Sequence, residues 1–230
     1  MKELLCSSAF FGVLVSIIGY EIGLFLYQKF HKPILNPLLI SIVFVMAILV
    51  IFKVDYKSYN DEAKYLSYLL TPATVCLAIP LYQQLELLKS NIKAIMIGVL
   101  SGVISSLGSI YLFSTIFRFT HEQYVTLLPK SITTAIGMGI SEELGGNVTI
   151  TVAVIIITGI FGSMLGEVVC KVFRINEPIA KGIAIGTASH AIGTSKAMEM
   201  GRVEGAMSSV AIVVSGLLTV IGASIFANFM

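Results

Sequence analysis

A chain of 230 residues that is 56% hydrophobic and only 12% charged is not built like a soluble domain, in which about 25% of residues carry charge. A net charge of +2, with the lysines at the ends of apolar runs, argues against a nucleic-acid partner. Cys6, Cys76 and Cys170 form no CxxC pair and the histidines do not cluster, so no disulfide framework, metal site or cofactor is indicated.

A polytopic helical protein of the cell membrane follows, with the lipid bilayer as its surroundings. A helix crossing the hydrocarbon core needs about 20 mostly apolar residues. Leu4 to Tyr27 supplies the first such run. It lacks an A-x-A cleavage pattern, so it reads as a retained helix rather than a signal peptide. Glu21 near its end snorkels to the interface. His31 lies in a solvated turn, and Pro33 and Pro37 bracket the start of a second span that ends at Phe52. Charges of both signs alternate from Lys53 to Lys64, which predicts a solvated loop. Residues 1–58 are therefore expected to be a two-helix scaffold and 59–230 a transport core.

Beyond the loop the character changes. Tyr65 to Leu85 is apolar but contains Pro72 and Pro80, and proline inside a helix removes a backbone bond and breaks or kinks it. Ile92 to Phe117 is a smooth span rich in glycine and serine, residues that let helix backbones approach closely. His121 and Glu122 are expected at the interface. Ser131 to Gly146, reading SITTAIGMGISEELGG, is small, polar and broken. Val148 to Leu165 is smooth again, with Glu167, Lys171 and Arg174 beyond it. Pro178 to Met200 contains GTASHAIGTSKAMEM, and Ala206 to Met230 is the last span. The expected fold is all-α, with about seven or eight membrane segments including broken or re-entrant ones.

The features recur in order. Ala78-Ile79, Ala135-Ile136 and Ala191-Ile192 each precede a glutamate, at Glu86, Glu143 and Glu199. Each following span then holds a hydroxyl-glycine pair: Ser101-Gly102, Thr158-Gly159 and Ser215-Gly216. A unit of broken segment, glutamate and smooth helix, repeated three times, fits the way transporters are assembled from repeats around discontinuous helices. The distribution of basic residues weakly favours a cytoplasmic N-terminus.

A half-helix ending at membrane depth presents free N–H groups and the positive end of its dipole, which suits a small anion. Ser131, Thr133 and Thr134 are the candidate donors of the middle segment. Thr187, Ser189, His190, Gly193, Thr194 and Ser195 are those of the last, and Thr71 and Thr74 those of the first. His190 is a candidate substrate donor or proton carrier. The bland alternatives are a packed histidine, and hydroxyls bonded back to their own helices. Lys130 and Lys196 are possible anion partners, although Lys130 reads better as an interfacial anchor and Lys196 can pair with Glu199 at i,i+3. No enzyme signature competes: there is no G-x-S-x-G, H-E-x-x-H or P-loop.

The strings LNPLLI (Leu35 to Ile40), LLTPATVCLAIPLY (Leu69 to Tyr82), LLPKSITTAI (Leu127 to Ile136), GTASHAIGTSKAMEM and EGAMSSVA (Glu204 to Ala211) run nearly the length of the chain. On these the sequence resembles the LrgB/CidB family of bacterial membrane proteins. It departs at Gly137, where relatives often carry Pro-Ile after the threonine pair, so a softer kink is expected. The resemblance implies one of two roles. One is transport of short monocarboxylates such as pyruvate, glycolate or glycerate, as in the related plastid glycolate/glycerate translocators. The other is antiholin-like control of murein hydrolase export and autolysis. Either would involve a small LrgA/CidA-like membrane partner, and a homo-oligomer is expected.

Overall fold

A computed structural model of the chain describes residues 10–30, 32–76 and 78–230. The start of the expected first span, with Cys6, and His31 lie outside the described residues. Among the described residues every regular element is a helix. The chain divides into two compact units, Met1–Cys76 and Leu77–Met230.

In the first unit, α1 (Phe11–Phe30) is long and apolar enough to cross a membrane. A 3-10 turn (Pro33–Leu35) leads into α2 (Pro37–Phe52). The Asn36 side chain caps α2 by accepting from Leu38 N at 2.9 Å and Leu39 N at 3.3 Å, and Pro37 occupies the first turn, where its missing N–H is harmless. The 16 residues of α2 reach only about 24 Å, so the expected second span is short. Glycine sets the packing of the two helices. A methyl group built on Gly23 would lie 2.6 Å from Pro37 O, and one on Gly19 2.9 Å from Phe44 Cδ1.

The loop expected from Lys53 to Lys64 is instead largely helix. After α3 (Tyr56–Ser67), α4 (Leu70–Cys76) completes the unit. Asp55 starts α3 by accepting from Lys57 N at 3.0 Å. The alternating charges hid an amphipathic pattern whose Tyr59, Glu62 and Ala63 meet α1. Tyr59 Oη lies 2.7 Å from Ser16 Oγ, Glu62 accepts from Gly12 N at 3.0 Å, and Gly12 has no room for a methyl group against Ala63 N.

The second unit opens with two short helices, α5 (Ala78–Gln83) and α6 (Leu85–Ser90), separated at the polar Gln84. The long helix α7 (Ile92–Phe117) follows, with the ends read from the sequence. The short helices α8 (His121–Leu127) and α9 (Thr134–Glu143) are separated by a non-helical connection. Then come α10 (Val148–Val172), α11 (Pro178–Met200), α12 (Arg202–Phe226) and a final 3-10 turn (Ala227–Phe229). With α1, the helices α7, α10 and α12 are long and apolar enough to cross a membrane. Although 23 residues long, α11 is too polar to join them.

The most buried helix of this unit is α12, which packs along α11 and also meets α7 and α5. The buried stripe of α7 (Ile95, Val99, Val103, Leu107 and Ile110) recurs every three or four residues, as a helix with one covered face requires. Together with Tyr124, Leu128, Ile132, Met207 and Val210 it forms the core.

A buried polar latch fixes the broken region. Thr151 Oγ1 on α10 lies 2.9 Å from Thr126 O at the end of α8 and 2.7 Å from Ser141 Oγ on α9. Thr126 Oγ1 accepts from Asn147 N at 2.8 Å and donates to Glu122 O at 2.6 Å. Both Thr151 and Ser141 are fully buried. Ser141→Ala removes one of these bonds while Thr151 keeps Thr126 O, and therefore lowers stability by about 0.5–1.5 kcal/mol, the usual net loss for one hydrogen bond. Thermal unfolding followed by circular dichroism tests this, and an unchanged midpoint would show that the latch contributes nothing.

Candidate functional site

The site is built on the approach of α7 and α10 to α11. Gly98 of α7 faces Ile183 and Gly102 faces Thr187, so α7 and α11 run the same way. Gly166, Gly162 and Gly159 of α10 meet Ile185, Ser189 and His190 in turn, so α10 runs the other way. Built methyl groups would lie 2.6 Å from Thr187 Cγ2 at Gly102 and 2.8 Å from the His190 ring at Gly159. Glycine alone permits these distances.

Between α7 and α10, over α11, lies a cavity of about 1070 Å³. At one end are Asn91, Cys170 and Glu177, where helices begin or end. At the other are Ser106, Lys130, Ser131, Thr187 and Ser189. Asn91 to Ser106 along α7 corresponds to about 22 Å. Serines of α7 form one wall, and Ile157, Phe161 and Leu165 of α10 the opposite one.

The non-helical connection after α8 brings Lys130 and Ser131 to the middle of α7. Lys130 Nζ donates to Ser131 Oγ at 3.0 Å and to Ser106 Oγ at 3.4 Å, and the two hydroxyls are 3.1 Å apart. Lys130 is half-buried, and among the described residues no carboxylate pairs with it. Sequence reasoning favoured an interfacial anchor here, but the chain carries the ammonium inward. Thr187 Oγ1 is buried without a hydrogen-bond partner.

The other predicted residues are distributed differently. The helix α11 breaks at His190, whose φ of 45° and ψ of −141° are not helical. A positive φ is rare outside glycine, and this one is held by several contacts. His190 Nε2 lies 3.0 Å from Ile155 O, Thr194 Oγ1 donates to His190 O at 3.0 Å, and Thr194 Oγ1 is 2.7 Å from Ser208 Oγ. His190 and Thr194 are buried and do not line the cavity. Gly193 is buried against Ser189. Ser195 is exposed and bonds back to Ala191 O at 3.5 Å. Thr133 stands at the start of α9 without a side-chain cap bond, which leaves the first amides of that helix to other partners. Thr133 and Thr134 are half-buried and off the cavity. The side chains of Thr71 and Thr74 lie outside what the structure describes. Lys196 pairs with Glu199 at 3.0 Å, as the spacing suggested, and also reaches Glu167 on α10 at 3.8 Å. Ser105 and Ser106 line the cavity but were not among the expected site residues, the small-residue pattern of α7 being their only trace; Thr158, which also lines it, was marked only as part of a recurring hydroxyl-glycine pair.

Residues 16–229 match the model of the LrgB-like family. The chain belongs to that family. LrgB-like relatives align with it almost end to end. It is 39% identical to the "Holin-like protein CidB" of Staphylococcus aureus (strain Mu50) over 90% of each chain. It is 37% identical to the protein of the same name in Staphylococcus epidermidis (strain ATCC 12228), again over 90% of each. With the "Antiholin-like protein LrgB" of Bacillus subtilis (strain 168) it shares 36% over 97% of each. No solved structure matches the chain significantly. The chain is thus an LrgB-like protein with, among the described residues, four helices long and apolar enough to cross a membrane, and the names of these relatives, holin-like and antiholin-like, describe no enzyme.

Proposed function

We propose that this protein acts in the cell membrane as a holin/antiholin-like regulator, and that its Leu77–Met230 unit carries short monocarboxylates such as pyruvate, glycolate or glycerate. The names of the LrgB-like relatives support the regulatory role. What carries the transport reading is one observation: a positive side chain without an acidic partner inside a cavity beside the middle of a membrane-length helix. A charge at that depth calls for a compensating anion and marks a pathway. In this reading Ser131, Thr187 and Ser189 touch the substrate, while His190, Gly193 and Thr194 hold the break in α11. Thr133 and Thr134, off the cavity, begin the half-helix that follows Ser131 and support the site from behind it.

The recurring order supports a repeat-built core. Short α5 and α6 with Glu86 precede α7, α9 with Glu143 precedes α10, and the second arm of α11 with Glu199 precedes α12. The first unit serves as scaffold, with a cytoplasmic N-terminus. A small LrgA/CidA-like protein is the partner through which murein hydrolase export and autolysis are affected, and the protein works as a homo-oligomer.

Proteoliposomes holding the protein, alone and with such a partner, are expected to take up labelled pyruvate or glycolate. Thr187→Val should reduce uptake several-fold without loss of stability, because that hydroxyl makes no bond within the protein. Uptake equal to that of protein-free liposomes in both preparations would overturn transport and leave regulation by helix contact. In that case a bulky residue at Ser101 or Gly102, and not a change at Thr187, would abolish the regulatory phenotype.

A further inference from the structure

We infer that Lys130, clamped by Ser106 and Ser131, anchors the head of a monoanion whose apolar tail lies along the Phe161 wall of the cavity. The inference rests on the reading of this cavity as a substrate site but extends it to a different class of ligand, the amphiphilic monocarboxylate. Three observations carry it.

The first is charge. The ammonium is half-buried and neutral hydroxyls are its recorded hydrogen-bond partners. Among the described residues Lys130 and Glu177 are the only charged ones lining the cavity, and they stand at opposite ends. One carboxylate finds a cation at Lys130. A second, carried on the same molecule, would meet no cation and would lose hydration against apolar walls. The site thus discriminates monoanions from dianions by the cost of an unpaired charge.

The second is size. About 1070 Å³ is at the upper end of what drug-sized ligands need, far beyond a two- or three-carbon acid. The third is the character of the walls. Beyond the Lys130 end the cavity is lined by Phe161 and Leu165 of α10 and by Ile179 and Ile183 of α11. Phe161 and Leu165 are 56% and 48% exposed, so they have apolar surface free for an alkyl tail that leaves water to reach it. Each added methylene should therefore tighten binding by about two- to four-fold.

The test uses the full chain in nanodiscs of zwitterionic lipid, with empty nanodiscs as the blank for partitioning. Acetate, butyrate, hexanoate and succinate are titrated calorimetrically. Butyrate and hexanoate are expected to bind progressively tighter than acetate, with succinate at least ten-fold weaker than butyrate. Lys130→Gln should lose butyrate binding by ten-fold or more, and Lys130→Arg should keep it within about three-fold. Phe161→Ala should weaken hexanoate several-fold and leave acetate unchanged; this holds the inference open to refutation even if Lys130→Gln fails to fold. Equal affinities along the acid series, or butyrate binding unaltered in folded Lys130→Gln, would overturn it. Lys130-dependent binding without any liposome uptake would instead count against transport alone. Uptake that ignores Lys130 and tail length would leave transport standing and remove this site.

Discussion

His190→Gly is expected to unfold at a higher temperature than His190→Ala, with both below the unsubstituted protein. The order is the reverse of the usual one, because glycine in a helix interior is ordinarily about 0.5–1 kcal/mol worse than alanine. At this position φ is 45°, and an L-residue held in such a region carries about 1–3 kcal/mol of strain. Both substitutions lose the imidazole contact with Ile155 O and leave a void beside Gly159, a loss of about 2–4 kcal/mol. Only glycine recovers the strain. Melting in detergent followed by circular dichroism reads this directly, since the chain has no tryptophan. If His190→Ala proves the more stable of the two, the break in α11 is not a strained conformation held in place by the ring.

The second large effect is a change of sign along one helix. Gly102→Ala is expected to destabilise by about 1–3 kcal/mol, as overpacking does, because its methyl group would come within 2.6 Å of Thr187 Cγ2. Threonine is branched at Cβ and has few rotamers into which to retreat. Six residues on, Gly108 has nothing within 4 Å of a built methyl group. Gly108→Ala should therefore stabilise by about 0.5–1 kcal/mol through helix propensity alone. The same melting experiment compares them. Equal effects at both sites would mean that the approach of α7 to α11 is looser than described, and the cavity wall with it.

Much of this architecture was legible in the sequence where apolar length decides. α7 was bounded correctly at Ile92 and Phe117 because polar residues, Asn91 and Arg118, stop the apolar run at both ends, and Arg118 closes the helix with a left-handed φ of 54°. The run from Lys53 to Lys64 was misread because alternating charges look the same on a solvated loop and on an amphipathic helix. What settles it is the cap at Asp55 and the contact of Tyr59 with Ser16, which is 43 residues away. Lys130 shows the same limit at the site. A lysine that ends a polar stretch reads as an anchor, and only the non-helical path after α8 brings it beside Ser106. The composition around His190 marked it as unusual. Its role in the backbone was invisible, because φ is set by partners on α10 and, through Thr194, on α12.

Ser106, the nearest fixed neighbour of Lys130 on a long helix, is the fifteenth of the 26 residues of α7. If α7 crosses the bilayer, a charge there senses about half of the electrical drop between the two compartments. A single negative ion travelling to it from either face then gains or loses about 1 kcal/mol for every 100 mV of membrane potential. Occupancy would therefore respond several-fold to energisation of the cell, without any moving part, and polarised and de-energised membranes would load the protein differently at one external concentration.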